Sequence, residues 1–214
     1  MRIGIIGAAG KAGRAIFREC LRRGELPTAI VRDSAKAQGV LGEYAVCLER
    51  EARKLTAADL RTFDVIVDAI GTTASFANQH VEVTKHLVKL VQGNDKPRLV
   101  FILRAASLLK DGRLYLDELY ERPGTSSWIA VPEQQTRQLR FLESTEGVNW
   151  VGVTPSIEFV QGPAGRPVLG RDEVLYGPDG GSRVTTGTLA VAVLDEITNP
   201  QHLNERFTVR DENC

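Results

Sequence analysis

The chain lacks both a net charge and a long apolar run. Its 27 lysines and arginines balance its 27 aspartates and glutamates, and no basic block is interleaved with aromatics, so nothing favours nucleic acid or an anionic membrane. No stretch approaches the roughly 18 apolar residues that cross a bilayer, and no secretion signal opens the sequence. We therefore expect a cytoplasmic protein, a monomer or homodimer, whose partner is a small molecule.

Cysteine is also scarce. The three cysteines, Cys20, Cys47 and Cys214, do not have the C-x-x-C spacing of a metal site, and an odd number in a chain of this size argues against a disulfide framework. We expect reduced thiols and no metal centre.

What the chain does have is enough apolar residues for one sizeable core, since 43% of its 214 residues are hydrophobic. Short runs rich in branched apolar residues recur at 3–6, 29–31, 65–70, 99–103, 150–153 and 207–209. Stretches with helical periodicity lie between them. Strands that are apolar on both faces and alternate with helices are typical of a parallel sheet covered on both sides. The prediction is one α/β domain over residues 1–214, a Rossmann-like doubly wound sheet.

The segment 162–183 breaks this alternation. It contains three prolines and the turn sequence Gly-Pro-Asp-Gly-Gly, which favour loops or a small hairpin above the sheet. We expect residues 155–185 to form the substrate side of the domain.

The opening sequence, MRIGIIGAAGKAGRA, places Gly7, Gly10 and Gly13 between a strand and a helix that begins near Lys11. Gly7 would adopt dihedrals that other residues resist, Gly10 would let a pyrophosphate approach the backbone, and Gly13 would let the helix pack close to the strand. The helix N-terminus then presents free N–H groups to the phosphates. This arrangement predicts a dinucleotide site.

Two further strand ends bear on the cofactor. In AIVRDSAK, Arg32 follows the second strand, where an arginine can bind the 2′-phosphate of NADP; the alternative is a solvated pair with Asp33. In VDAIGTT, the small residues Ala69 and Gly71 would let the cofactor pass over the sheet edge, with Thr72 as a hydrogen-bond donor. The alternative is an ordinary strand-to-helix turn without a ligand, which has the same sequence pattern. We expect NADP, with NAD possible.

Several segments together resemble the NADH-flavin reductase-like branch of the atypical short-chain dehydrogenases. They are MRIGIIGAAGKAGRAI, AIVRD, VIVDAIGT, RLVFILRAASL, NWVGVTPS and AVAVLDEITNPQHLNERFTV, and the match runs nearly end to end. Related groups include flavin reductases of the biliverdin reductase B type and nitrogen-repression regulators. The resemblance implies a Rossmann-like fold and hydride transfer from a reduced nicotinamide.

The resemblance also implies roles by position. The pyrophosphate would contact Ala9, Gly10, Lys11 and Ala12, and the adenosine phosphate would contact Arg32. The adenine would lie beside Glu51 and Ala52, and the ribose would be lined by Ala69, Gly71 and Thr72. The nicotinamide would be flanked by Ser107, Pro155 and Ser156. The chain departs from the family before Ser107, where Leu103 and Arg104 replace the usual glycines and add bulk beside the expected nicotinamide pocket.

The usual carbonyl chemistry of short-chain dehydrogenases needs a tyrosine with a lysine four residues later. None of the four tyrosines has one, because the residues at that distance are Leu48, Leu119, Gly124 and Gly180. Reduction of a flavin or quinone demands less, since hydride passes between stacked rings that the protein positions. Ser107 is the candidate catalytic residue, orienting the nicotinamide amide or the acceptor, or else a helix cap. His80 is expected to be a packing or surface residue.

Three functions follow, in order of preference. The first is an NADPH-dependent reductase of FMN, FAD or a quinone-like acceptor. The second is a redox sensor that holds NADP(H) without turnover, which the missing Tyr–Lys pair and the bulk at Leu103 and Arg104 also allow. The third is an epimerase or dehydratase acting on a nucleotide sugar, which the short C-terminal portion disfavours.

Overall fold

A computed structural model describes all 214 residues and shows an eight-stranded sheet flanked by helices. The strands are β1 (Arg2–Ile6), β2 (Leu26–Val31), β3 (Cys47–Glu49), β4 (Val65–Asp68), β5 (Arg98–Ile102), β6 (Leu109–Lys110), β7 (Arg113–Leu114), β8 (Trp150–Pro155), β9 (Glu158–Val160), β10 (Pro167–Gly170), β11 (Arg183–Thr185) and β12 (Glu205–Asp211). The helices are α1 (Lys11–Arg22), α2 (Ser34–Leu41), α3 (Ala57–Leu60), α4 (Gln79–Val91), α5 (Tyr115–Glu121), α6 (Ala130–Glu143) and α7 (Thr186–Thr198).

The main sheet has the order β10-β12-β8-β5-β4-β1-β2-β3, and every neighbouring pair is parallel except β10 with β12. After β3 the chain crosses back over β1 to form β4, so the strand order reverses between β1 and β4. The predicted doubly wound α/β fold is therefore confirmed. In folds of this kind, ligands bind outside the carboxyl ends of the strands at such a reversal.

Alternate residues of the strands face two separate cores, which explains why the strands read as apolar on both faces. On one face Ile3 and Ile5 pack with α1 and α7 in a cluster of 24 buried residues. On the other face Ile66 and Phe101 pack with α4 and α6 in a cluster of 17. The two cores hold the strand ends, and hence the candidate site, in a fixed relation. No helix is both long and apolar enough to cross a bilayer.

Two boundaries differ from the sequence-based expectation. The fourth strand ends at Asp68 and not at Ile70, because the Asp68 carboxylate accepts the N–H of Ile70 at 3.1 Å and turns the chain. The segment 162–183 contains loops but no hairpin: β10 pairs antiparallel with β12 at the edge of the main sheet, and β11 pairs in parallel with β9. Strand partners distant in sequence were available there, and a local turn pattern cannot reveal them.

Candidate cofactor site

Three loops meet at the carboxyl edge of the sheet where the strand order reverses. They follow β1, β4 and β5, which are neighbours in the order β5-β4-β1. The loop after β1 is the glycine turn at residues 7–13, the loop after β4 runs through residues 69–72, and the loop after β5 begins with Leu103 and Arg104. The predicted site residues from these three segments are thus brought to one edge.

The three glycines of the turn carry different structural demands. Gly7 has φ +72°, and a Cβ there would lie 2.7 Å from the carbonyl oxygen of Ala69. At Gly13 a Cβ would lie 2.3 Å from the carbonyl oxygen of Gly7. Gly10 is exposed, has an ordinary φ of −77°, and its Cβ would meet only the Gly7 oxygen, at 3.1 Å. Packing therefore demands glycine at 7 and 13 more strictly than at 10.

The helix that follows this turn begins without a side-chain cap. Gly10 is the N-cap residue of α1 and offers no acceptor, and the first turn holds no acidic residue. The helices α2 and α7 are capped by the side chains of Asp33 and Thr185, whereas α4, α5 and α6 also lack a side-chain cap, so it is the glycine turn before α1 that distinguishes this helix end. The N–H groups in the first turn of a helix need an acceptor, and an uncapped N-terminus with a positive dipole end suits a phosphate. Ala9 and Lys11 adjoin this end, and Ala12 is buried against the core.

Arg32 lies at the carboxyl end of β2 and is exposed. Its neighbour Asp33 does not pair with it, because that carboxylate caps α2 by accepting the N–H of Lys36 at 2.9 Å. The guanidinium of Arg32 is left without an acidic partner. The pair with Asp33 is therefore not formed, and a contact of Arg32 with a 2′-phosphate stays a prediction.

The loop after β3 gives a different picture for the adenine side. Glu51 is half-buried and forms an ion pair with Arg53 at 2.9 Å, and this hydrogen bond lowers the pKa of the Glu51 carboxyl. Ala52 packs against the second core cluster. The side chain of Glu51 thus already has a cationic partner, and its contact with adenine stays a prediction.

Beyond β4, Ala69 is buried and Gly71 is exposed, with open space where its Cβ would lie. The Thr72 hydroxyl is 3.1 Å from Nε2 of His80, which is buried in the first turn of α4. Burial, together with the charge of Arg104, lowers the pKa of His80 to about 4, so the ring is neutral at physiological pH. Of the two roles expected for His80, packing or surface, the structure shows the buried one, and the ring also contacts Thr72.

Sequence reasoning missed Asp68. This carboxyl group is 2% exposed at the end of β4, its Oδ2 has no hydrogen-bond partner, and burial raises its pKa to about 7. The signal was present in the sequence as the single acid that ends the buried run VIVD. An acid at a strand end does not by itself indicate burial, because such residues are usually solvated.

Arg104 is exposed at the start of the turn 105–107 and has no acidic partner. Burial lowers the pKa of the Lys11 ammonium and of His80, and the positive charge of Arg104 lowers both further. Lys11 itself donates to the carbonyl oxygen of Phe159 and lies 4.5 Å from the centre of that ring. Two unpaired cations thus border the site.

The hydroxyl groups expected beside the nicotinamide are occupied by the protein. Ser107 is 4% exposed; its Oγ donates to the carbonyl oxygen of Arg104 and accepts from Arg206, at 3.1 and 2.9 Å. Ser156 is 1% exposed and donates to the carbonyl oxygen of Val209 at 2.8 Å, next to the buried Pro155. Both serines fasten backbone segments of the site, and a direct role for either stays a prediction.

A reversal of strand order, a glycine turn and an uncapped helix end together define a dinucleotide-binding protein of the Rossmann class. Comparison with known families agrees: residues 7–200 match the family model described as NAD(P)H-binding. The chain belongs to this NAD(P)H-binding family, which confirms the resemblance seen in its sequence.

The similarity to known proteins extends over the whole chain. A Bacillus subtilis (strain 168) protein, YwnB, is 35% identical over 217 residues, covering 99% of each chain. A crystal structure from Lactobacillus casei has 37% identity and a TM-score of 0.92, with full coverage of both chains. A structure from Streptococcus pneumoniae TIGR4, described as a "putative NADH-flavin reductase", has 26% identity and a TM-score of 0.88, covering 99% of this chain and 100% of that one.

Proposed function

We propose that this protein is an NADPH-dependent reductase of a flavin or a quinone-like small acceptor. The observation that carries the proposal is the uncapped N-terminus of α1 behind Gly10, which has room for a ligand that no side chain of the protein replaces. The unpaired Arg32 favours NADPH over NADH. The name of the Streptococcus pneumoniae relative suggests the reaction.

The residues present fit a dinucleotide. The backbone from Ala9 to Ala12 would hold the pyrophosphate, Arg32 the 2′-phosphate, and the loops at 69–72 and 103–104 the ribose and nicotinamide side. When bound, a reduced nicotinamide supplies hydride. The protein's part is to align the two rings and to exclude water, which needs no proton-donating tyrosine.

Arg104 and Lys11 would assist the acceptor. A flavin or quinone gains negative charge as hydride arrives, and a fixed cation at that point stabilises the charge. Arg104 has no acidic partner to neutralise it. The bulk that replaces the family's glycines would therefore act on the acceptor electrostatically while it narrows the pocket.

The test follows NADPH oxidation at its absorbance band with FMN, FAD or menadione as acceptor. Turnover above the protein-free rate is expected, together with its loss in a Gly10→Val variant that keeps the wild-type melting temperature. Oxidation no faster than without protein, for all three acceptors, would refute the reductase.

One observation favours a second function, a sensor that binds NADP(H) without turnover. The hydroxyls of Ser107 and Ser156 are both engaged in the protein, and no Tyr–Lys pair exists. Calorimetric binding of NADPH without any acceptor reduction would identify the sensor. If calorimetry detects no heat of binding with NADP or NAD, oxidised or reduced, both functions are excluded.

A further inference from the structure

A cavity of about 310 Å³ lies on the outer side of α1, between this helix and α7. Its volume is at the lower end of the range for small-molecule sites. The loop over Gln161 and Gly162 closes one side of it. This loop is held directly on α7, because Gly187 leaves no room for a Cβ, which would lie 2.3 Å from the backbone nitrogen of Ala164. We call it the α1–α7 cavity.

The wall supplied by α1 is strongly basic. Lys11, Arg14, Arg18 and Arg22 line the cavity, at spacings of three and four residues that place them on one side of the helix. The whole chain has equal numbers of cationic and anionic residues. Four cations on one wall of one cavity are therefore a local concentration that the composition does not predict.

Acidic residues neutralise only the far end of this wall, at Arg22. Glu19 is the only acid that lines the cavity, and its two oxygens are bound by Arg22 and Arg23 at 2.7 Å. Arg14 is half-buried, Arg18 is exposed, and neither forms an ion pair. Like charges four residues apart on a helix repel and weaken it. An anion bound between Arg14 and Arg18 would reverse this repulsion.

The opposite wall is formed by the start of α7, with Thr186 and Gly187. The first N–H groups of this helix are already bonded, to Asp211, Gly162 and Thr185, so the positive charge of the cavity comes from α1. Guanidinium groups remain charged at all physiological pH values, and their planar pairs of N–H donors match the oxygens of a phosphate.

We propose that the α1–α7 cavity binds the phosphate group of a small ligand, with Arg14 and Arg18 as its principal ligands. This site lies along the flank of α1, whereas the dinucleotide would meet the helix at its tip, and Lys11 borders both. The phosphate would come from one of two sources: a phosphorylated acceptor whose ring reaches the nicotinamide side, or a free phosphorylated metabolite that binds independently of the reaction.

The first experiment measures binding of inorganic pyrophosphate by calorimetry at low ionic strength, in the presence of saturating NADPH so that the glycine turn at the tip of α1 is already filled. Arg14→Gln/Arg18→Gln should weaken binding about tenfold or more, since two charge-assisted hydrogen-bond donors are lost. The matched control is Arg137→Gln/Arg140→Gln, which removes two exposed arginines without ion pairs from α6 and should leave binding unchanged. Both variants should retain the wild-type melting temperature and NADPH affinity.

Equal pyrophosphate affinity in the two double variants would overturn the proposal. So would a parallel loss of NADPH affinity in Arg14→Gln/Arg18→Gln, because the arginines would then serve the dinucleotide. If the arginine variant unfolds, Arg14→Lys/Arg18→Lys replaces it; this variant keeps the charge, and loss of the guanidinium forks should still weaken pyrophosphate binding severalfold.

The second experiment separates the two sources by comparing FMN with riboflavin, which lacks the phosphate. A KM for FMN that rises about tenfold in Arg14→Gln/Arg18→Gln, with the riboflavin KM unchanged, identifies the acceptor's phosphate. Unchanged kinetics for both, with pyrophosphate binding lost, identifies a free metabolite. The binding experiment needs no turnover, so it tests the phosphate site in the α1–α7 cavity even if the protein proves not to be a reductase.

Discussion

Gly7, Gly10 and Gly13 share one turn but differ in what they require. Gly7 and Gly13 are fixed by backbone conformation and by contacts under 3 Å for an added Cβ, whereas Gly10 faces open space apart from one contact at 3.1 Å. The sequence predicted the turn and its position correctly from spacing alone. Which glycine serves the fold and which serves a ligand becomes visible only from the distances.

A substitution at Gly10 should separate ligand binding from folding. We expect Gly10→Val to weaken NADPH binding at least about tenfold, because its side chain enters the phosphate path, with little change in melting temperature. Gly13→Ala should instead lower the free energy of unfolding by about 1–3 kcal/mol, since its methyl group overpacks the turn. Calorimetry and urea unfolding measure the two effects. Undiminished NADPH affinity in Gly10→Val would show that no pyrophosphate lies there.

Arg32 gives a prediction about cofactor choice. Arg32→Glu should weaken NADPH at least about tenfold more than NADH, because repulsion replaces attraction at the 2′-phosphate. Titration of each cofactor, followed by fluorescence, measures the two affinities. Arg61→Glu makes the same charge change at an exposed arginine after α3 and should affect neither. Equal losses for NADPH and NADH would mean that Arg32 does not contact the phosphate.

At the scale of elements, the turn 105–107 is bound to β12 by a buried arginine. The Arg206 guanidinium, buried on β12, donates to Ser107 Oγ and to its carbonyl oxygen, both at 2.9 Å. Because Arg104 directly precedes this turn, the same contacts fix its position at the carboxyl edge of the sheet. A serine that was selected from sequence as a catalytic candidate thus has a clear structural task, which a local motif could not reveal because its partner is 99 residues away.

Ser107→Ala tests which of the two tasks matters. We expect the free energy of unfolding to fall by about 1–3 kcal/mol, because Arg206 loses a buried acceptor. NADPH oxidation should keep a kcat within about threefold of the wild type. A loss of about a hundredfold in kcat with unchanged stability, the size of an acid–base contribution, would show instead that the hydroxyl acts directly.

The end of β4 gives a pH prediction. Asp68 has a pKa of about 7 in the folded protein against an ordinary value of 3.8, so between these values the folded state holds a proton that the unfolded state has released. Its contribution to stability is greatest below about pH 4 and declines as pH rises to about 7, by about 1.4 kcal/mol for each pKa unit. Asp68→Asn keeps the acceptor for the N–H of Ile70 and removes the titration.

We therefore expect Asp68→Asn to be more stable than the wild type at pH 8, with the difference shrinking towards pH 4. Urea unfolding of both proteins at several pH values gives the difference directly, and contributions from other groups cancel. A difference that does not vary with pH would show that Asp68 titrates normally.

For the whole molecule, the sequence predicted the alternation of strands and helices and the burial of both faces of the sheet, because the spacing of apolar residues follows burial directly. It placed all six strand runs within a few residues and located the glycine turn. It missed the two-residue strands β6 and β7, and it missed β3, β9, β10 and β11, which have three or four residues each and depend on partners outside their own segment. It also missed the α1–α7 cavity, since the facing residues come from elements about 150 residues apart.

The edge of the sheet opposite the cofactor site is fastened by a buried ion pair. Arg98 at the start of β5 contacts Glu196 of α7 at 2.7 Å, and Glu196 also accepts from the His202 ring at 2.7 Å. Burial alone would raise the pKa of Glu196, but the hydrogen bonds from His202 and Arg98 outweigh it and lower the pKa. This group therefore stabilises the fold at neutral pH and loses its effect as the carboxylate is protonated.

Glu196→Gln should cost about 3–5 kcal/mol in the free energy of unfolding, because Arg98 would be left buried without a counter-charge. NADPH affinity measured below the melting temperature should be unchanged, since the pair lies at the far edge. Glu146→Gln, at an exposed acid without an ion pair, should stay within about 0.5 kcal/mol of the wild type. A loss no greater than that of Glu146→Gln would mean that the pair contributes nothing net.

The position of β12 between β8 and β10 has a consequence for how the molecule is made. The strand β10 is synthesised some 35 residues before β12, which is its only partner in the main sheet. It therefore stays unpaired until the intervening chain has been made. The nucleotide-binding half can assemble earlier, because β1 to β5 are adjacent in both sequence and space. The segment from β8 to β12 would then become ordered after β1 to β5, and it would be exposed to chaperones and proteases for longer.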